Sequence, residues 1–106
     1  EGILIVGSGN IVHNLRAYVW GDEAVPPFDW ALRFEAGVRR LILEGREGEL
    51  AEFSRVGNDA RLSVPSPDHF LPLLYVMGLR REGEEVRFPV EGIEGGSLSM
   101  LSVQIG

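Results

Sequence analysis

Apolar residues recur along this chain with three different spacings, and each spacing predicts a different element. "ILIV" at 3–6 is an unbroken, mostly β-branched run. Such a run predicts a strand covered on both faces. Gly7 and Gly9 end it, and a helix is expected to start around Asn10. "GDEAVPP" at 21–27 reads as a loop closed by Pro26 and Pro27. From Phe28 to Leu43 the spacing changes to three and four. Phe28, Ala31, Phe34, Val38, Leu41 and Ile42 form one stripe, predicting an amphipathic helix that Gly45 stops.

Residues 47–56, "EGELAEFSRV", predict a shorter helix, and 57–63 a connector with one helical turn. Ser66 is a good N-cap, Pro67 suits the first helical position, and Asp68 favours the positive end of the dipole. A helix through Leu71, Leu74 and Tyr75 is then expected to end at Gly78. Pro72 lies near enough to its start to remove at most one bond.

The tail switches to period two. Val86, Phe88 and Val90 alternate in "EVRFPV", "EGIEGGS" turns the chain, and "LSMLSVQI" supplies a second strand. The apolar phase slips between Met100 and Leu101, predicting a bulge or burial on both faces there. The order β-α-α-α-α-β-β places the chain in the α/β class, as a fragment of a mixed β-sheet flanked by helices.

Composition narrows the function classes. With 106 residues the chain is one small domain, and 44% hydrophobic with 25% charged residues is a globular balance. A net charge of −6 leaves no basic stripe for phosphates, so nucleic acid is not an expected partner. All ten basic residues are arginine, and there is no cysteine, which excludes disulfides, thiolate metal sites and cysteine nucleophiles. No apolar run reaches membrane-spanning length and no signal-peptide pattern opens the chain, so a cytoplasmic, membrane-free protein is expected. The strand-like run begins two residues from Glu1, which reads as a piece of a longer protein. Trp20, Trp30 and Phe34 are expected in the core, and Ser97, Ser99 and Ser102 on a polar strand face.

Two histidines carry the candidate chemistry. His13 follows the glycine loop past a strand end, where open α/β sheets place ligands, and imidazole is the usual proton shuttle near neutrality. The plain alternative is a tight turn with a histidine nearby. A phosphate cradle is weaker, because the spacing is neither Walker A nor GxGxxG and no lysine is present. His69 lies in the first turn of the "PSPDH" helix. That position favours a neutral, metal-binding imidazole, or equally a histidine bonded to backbone. Two histidines are too few for a closed metal site. Glu91 or Glu94 could add a carboxylate, although glutamates in a glycine-rich turn are usually solvated.

Four blocks, "GSGNIVHNLR", "FDWALRFE", "PSPDHFLPLLYVMG" and "GSLSMLSVQIG", occur in this order over nearly the whole chain. Together they resemble the C-terminal portion of the class III extradiol ring-cleavage dioxygenases, in the DOPA 4,5-dioxygenase-like branch. The resemblance implies that residues 1–106 are the C-terminal part of a single catalytic domain. It implies a non-haem iron(II) parent that cleaves a catechol with O₂, with zinc possible in preparations. It makes His13 the catalytic acid/base and a possible secondary metal ligand, makes His69 a metal ligand, and sets Ser8 and Asn10 beside the substrate. The family's other metal-binding histidines belong to its N-terminal half. The chain is therefore expected to be inactive alone, and to be found self-associated as a homo-oligomer or bound to that missing half. Two other readings stay open: a non-catalytic binding or assembly module on the same fold, and a hydrolase- or phosphorylase-like α/β domain with an anion-binding GSGN loop.

Overall fold

In the computed structural model, which describes residues 2–21 and 23–106, helices fill the middle of the chain and antiparallel strands close it. Helix α1 spans Asp29–Leu43, and from Ala31 onward its predicted stripe is buried, Ala31, Phe34, Val38, Leu41 and Ile42, joined by Gly37. Phe28 is its extended N-cap, and Gly45, with φ +72°, takes the left-handed position that ends it. The expected helix at 47–56 is shorter than its polar pattern suggests. A 3₁₀ turn at Glu47–Glu49 leads into α2, Leu50–Phe53, which anchors itself with one fully buried residue, Leu50. The expected connector turn is α3, Asn58–Ser63.

The "PSPDH" segment is a 3₁₀ turn, Pro67–His69, followed by α4, Leu71–Gly78. Ser66 is extended as an N-cap should be, but its hydroxyl donates to the Asp68 carboxylate (3.1 Å) and not into a cap. No amide of the turn donates to the Ser66 hydroxyl oxygen, and the Phe70 N–H instead closes the turn on the Pro67 carbonyl. Pro72 falls in the first turn of α4, where its missing N–H is harmless. Phe70, fully buried between the two pieces, pins the turn to the core.

That core is aromatic at its centre. The Phe34 ring stacks on Phe53 at 5.2 Å and meets Phe70 edge-on at 6.0 Å. Gly37 lies directly under the Phe53 ring, where a Cβ would overlap it. The glycine in α1 therefore serves helix packing. Trp30 is half-buried, whereas Trp20 is 75% exposed, so the expectation of a core Trp20 is corrected. Its ring leans on Tyr18 (4.5 Å) above the surface.

The α/β class holds, but the mixed sheet is replaced by antiparallel ladders. β1 (Val86–Arg87) pairs with β4 (Gln104–Ile105), and β2 (Ile93–Glu94) with β3 (Leu98–Ser99). Backbone bonds from Ser102 N–H to the Val90 carbonyl and from Met100 N–H to the Gly92 carbonyl join the two ladders into one irregular hairpin. Val86 faces Ile105, but Val90 faces Ser102, so four steps on one strand match three on the other. The bulge thus falls between Arg87 and Val90, where Pro89 has no N–H to give, and not at Met100–Leu101.

The N-terminal expectations fail in an instructive way. Among the described residues, no backbone hydrogen bond ties 3–6 to a neighbour, and Ile3, Leu4, Ile5 and Val6 are 54–85% exposed. A strand needs a partner ladder, and none lies beside them among the described residues. No helix starts at Asn10 either. Ile11 and Val12 plunge into the core, and His13 forms a single antiparallel bridge with Leu98. β-Branched residues lose little in extended backbone, and pairing with β3 outweighs a helical turn.

Candidate functional site

The glycine loop approaches the α4 turn closely. A Cβ on Gly9 would overlap the His69 carbonyl oxygen, and one on Gly7 would stand 2.9 Å from the Pro72 carbonyl. Neither glycine has a positive φ. Their task is to let backbone pass against backbone, and the surface they press on is the His69-bearing turn. Asn10 N–H then donates to the His69 carbonyl at 2.8 Å. Just beyond, His13 N–H donates to the Ser63 carbonyl (2.9 Å), and the bridge to Leu98 holds its other side.

The result brings together two side chains 56 positions apart. The His13 and His69 rings stack with centroids 3.6 Å apart and planes 14° from parallel. His13 is half-buried and His69 exposed. Burial lowers the His13 pKa below its ordinary value. Proximity to His69 lowers it further, and a backbone hydrogen bond offsets part of the shift. These surroundings favour the neutral imidazole of His13, the form that accepts a proton.

Beside His69 lies a cavity of about 560 Å³, with Ser8 and Asn10 also in its wall and Leu4, Val76 and Leu101 among its apolar lining; His13, stacked on the His69 ring, is not part of that lining. Ser8 is exposed there. Asn10 is half-buried and committed, its Nδ2 donating to the Ser99 carbonyl at 2.7 Å. The loop also lacks what an anion cradle needs. No helix follows it, and the Asn10 amide is already used.

Sequence reasoning missed the residues that support the pair. Ser97 and Ser99 are fully buried, correcting the expected polar face; Ser102, half-buried, accepts a hydrogen bond from the Val90 N–H at its hydroxyl oxygen. Ser97 Oγ donates to the Asn14 carbonyl (2.7 Å), and Ser99 Oγ to Glu35 Oε2 on α1 (2.6 Å). Asn14 Nδ2 in turn donates to the Leu62 carbonyl at 2.8 Å. Serines at strand spacing signal a face, but nothing in their spacing says that the face turns inward. Glu91 is an ion-pair partner of Arg39, and Glu94 is exposed on β2.

Imidazole suits iron and zinc. Among the described residues, however, no group of three or more metal-ligating side chains converges. An imidazole lone pair lies in the ring plane, so two rings this close to parallel aim side by side and not at one ion about 2.1 Å from both. The donors fit one ligand from the pair, with the rest of the shell supplied from elsewhere.

Over its whole length the chain is similar to proteins named 4,5-DOPA dioxygenase extradiol. It is 48% identical to the one from Escherichia coli (strain K12) over 109 residues, covering all of this chain and 40% of the relative. Identity is 31% to that of Portulaca grandiflora, over 96% of this chain and 37% of the relative. It is 28% to that of Beta vulgaris, over 93% of this chain and 36% of the relative. The chain thus spans about two fifths of the length of the curated relatives it matches. The crystal structure of an uncharacterized protein from E. coli K12 superposes with a TM-score of 0.79 at 43% identity, covering 93% of this chain and 41% of that one. No protein-family model matches the chain.

Proposed function

We propose that this chain forms one wall of the active site of an extradiol ring-cleavage dioxygenase, an iron(II) enzyme that opens a catechol ring with O₂. The observation that carries the reading is the stacked His13–His69 pair, on a chain 48% identical to a 4,5-DOPA dioxygenase extradiol. His69, exposed at the cavity wall, would hold the metal. When bound, iron(II) brings catechol and O₂ into one coordination sphere and so replaces a slow encounter by an oriented one. Both oxygen atoms enter the product as the carbon–carbon bond beside the hydroxyls breaks, and no external reductant is needed.

His13 is the acid/base. Kept neutral by burial, it takes a proton from a catechol hydroxyl at Nδ1 or Nε2 and returns it to the opening product. General catalysis of this kind is typically worth about 10²–10⁴-fold. The parallel rings favour this division of labour over two ligands to one ion. Ser8 faces the cavity as a substrate-adjacent hydroxyl, while Asn10 acts from beside the substrate through its backbone contact to His69.

In this reading residues 1–106 are the C-terminal part of a single catalytic domain. The remaining metal ligands, and the cover for the exposed Ile3–Val6 run, come from the part of the relatives' length that this chain does not span. Alone, the chain is inactive and self-associates. Among the described residues no helix is long and apolar enough to cross a membrane, and we assign the parent to the cytoplasm. The test is to assay the full-length parent with iron(II) and DOPA, caffeate or protocatechuate. A yellow ring-opened product is expected, and no colour with any catechol would contradict the proposal.

A further inference from the structure

We infer that Glu35, Ser99 and Asn10 form a brace of positioning residues that sets the distance between the two histidines, resting on the reading of His13 and His69 as one site. Three hydrogen bonds in series run from α1 to the His69 turn. Ser99 Oγ donates to Glu35 Oε2 (2.6 Å), Asn10 Nδ2 donates to the Ser99 carbonyl (2.7 Å), and Asn10 N–H donates to the His69 carbonyl (2.8 Å). A side branch reaches the other histidine. Ser99 N–H donates to the Val12 carbonyl at 2.9 Å, one residue before His13, and the neighbouring Leu98 bridges His13 itself. Ser99 is therefore bonded to both Asn10 and Val12 on the approach to His13, and reaches the His69 turn through Asn10.

The burial of its members gives the brace its stiffness. Ser99 is 1% exposed and the Glu35 side chain 13%, so both sit where an unmade hydrogen bond is costly and water competes poorly. Glu35 is itself held on α1, at the flank of the stripe that carries the aromatic core, with Arg39 one turn on at 4.0 Å. The brace thus refers the ring pair to the long helix that packs on the core. It also explains why a carboxylate is kept half-buried on a helix: its hydrogen-bond partner is a strand serine, and the cation one turn away, Arg39, also pairs with Glu91.

The brace is tested without turnover by NMR of the chain with carbon-13-labelled histidine, reading the cross-peak between the two imidazole rings. Wild type and Glu35→Gln, which keeps an acceptor oxygen for Ser99, should both show it. Asn10→Ala and Glu35→Ala should lose it while the amide peaks of Val86 and Ile105, in the distant ladder, stay in place. A general loosening of the fold would move those amides as well. If Asn10→Ala does not fold, the Glu35→Ala and Glu35→Gln pair decides alone. A cross-peak retained in Glu35→Ala, or lost equally in both Glu35 variants, overturns the brace. Failure of the underlying site reading shows elsewhere, in a parent that turns over no catechol while its histidine rings keep their cross-peak.

Discussion

The run at 3–6 is apolar throughout and helix α1 only along one stripe, yet α1 buries that stripe and 3–6 stays exposed. The difference lies in the backbone. A helix satisfies its own amides, so it needs only a surface to pack on, and Phe53, Phe70 and Val12 give α1 that surface. An extended segment satisfies none of its amides alone, and its hydrophobicity has no effect until another strand lies beside it. The same contrast divides the histidines. His13 belongs to a segment bridged to β3 and is half-buried, whereas His69 rides an exposed turn that one neighbour, Phe70, anchors.

Substitutions can break this contrast, starting with the largest expected effect. Phe34→Ala should cost about 3–5 kcal/mol in chemical denaturation, the usual cost of emptying a buried aromatic site. Ile5→Ser, by contrast, should stay within about 0.5 kcal/mol while weakening self-association in sedimentation. A Phe34→Ala chain as stable as wild type would remove α1 as the organising element.

Gly9→Ala should follow, at about 1–3 kcal/mol, because the new methyl meets the His69 carbonyl and backbone must move to admit it. The same variant should pull the imidazole rings apart. Equal stability with unchanged ring contacts would mean that the loop does not pack on the turn.

The smallest effect is a pH slope. Because folding lowers the His13 pKa, its contribution is fully present above the unfolded value near 6.5 and is lost as pH falls through the folded one. Wild type should therefore lose stability relative to His13→Phe as pH drops below about 6.5, and the two should run parallel above it. A slope of the opposite sign would mean that the fold favours the imidazolium.

What could be read from the sequence follows the same division. The α1 stripe, the stop at Gly45, the end of α4 at Gly78 and the β tail were all legible, because each is local chemistry written in period or in glycine. The segment at Asn10–His13 was not, since its extended path depends on Ser63 and Leu98, far away in sequence. The bulge was expected from an apolar phase slip at Met100, but it sits opposite, where Pro89 withholds a donor. The two histidines stood out because each follows a turn signal. Their supports, Ser99 and Glu35, did not, because a buried hydrogen bond between a strand serine and a helix glutamate leaves no pattern in either segment.

The glycines of the loop gain a definite role. They admit the backbone of the turn that carries His69. The account therefore rests on two imidazoles held together for different tasks. The direct measurement is iron content and catechol turnover of the full-length parent with His13→Phe and, separately, His69→Ala. The account predicts that His13→Phe keeps its iron and loses about 10²–10⁴-fold in turnover, while His69→Ala loses both. Iron lost equally from the two variants, or turnover untouched in His13→Phe, would contradict it.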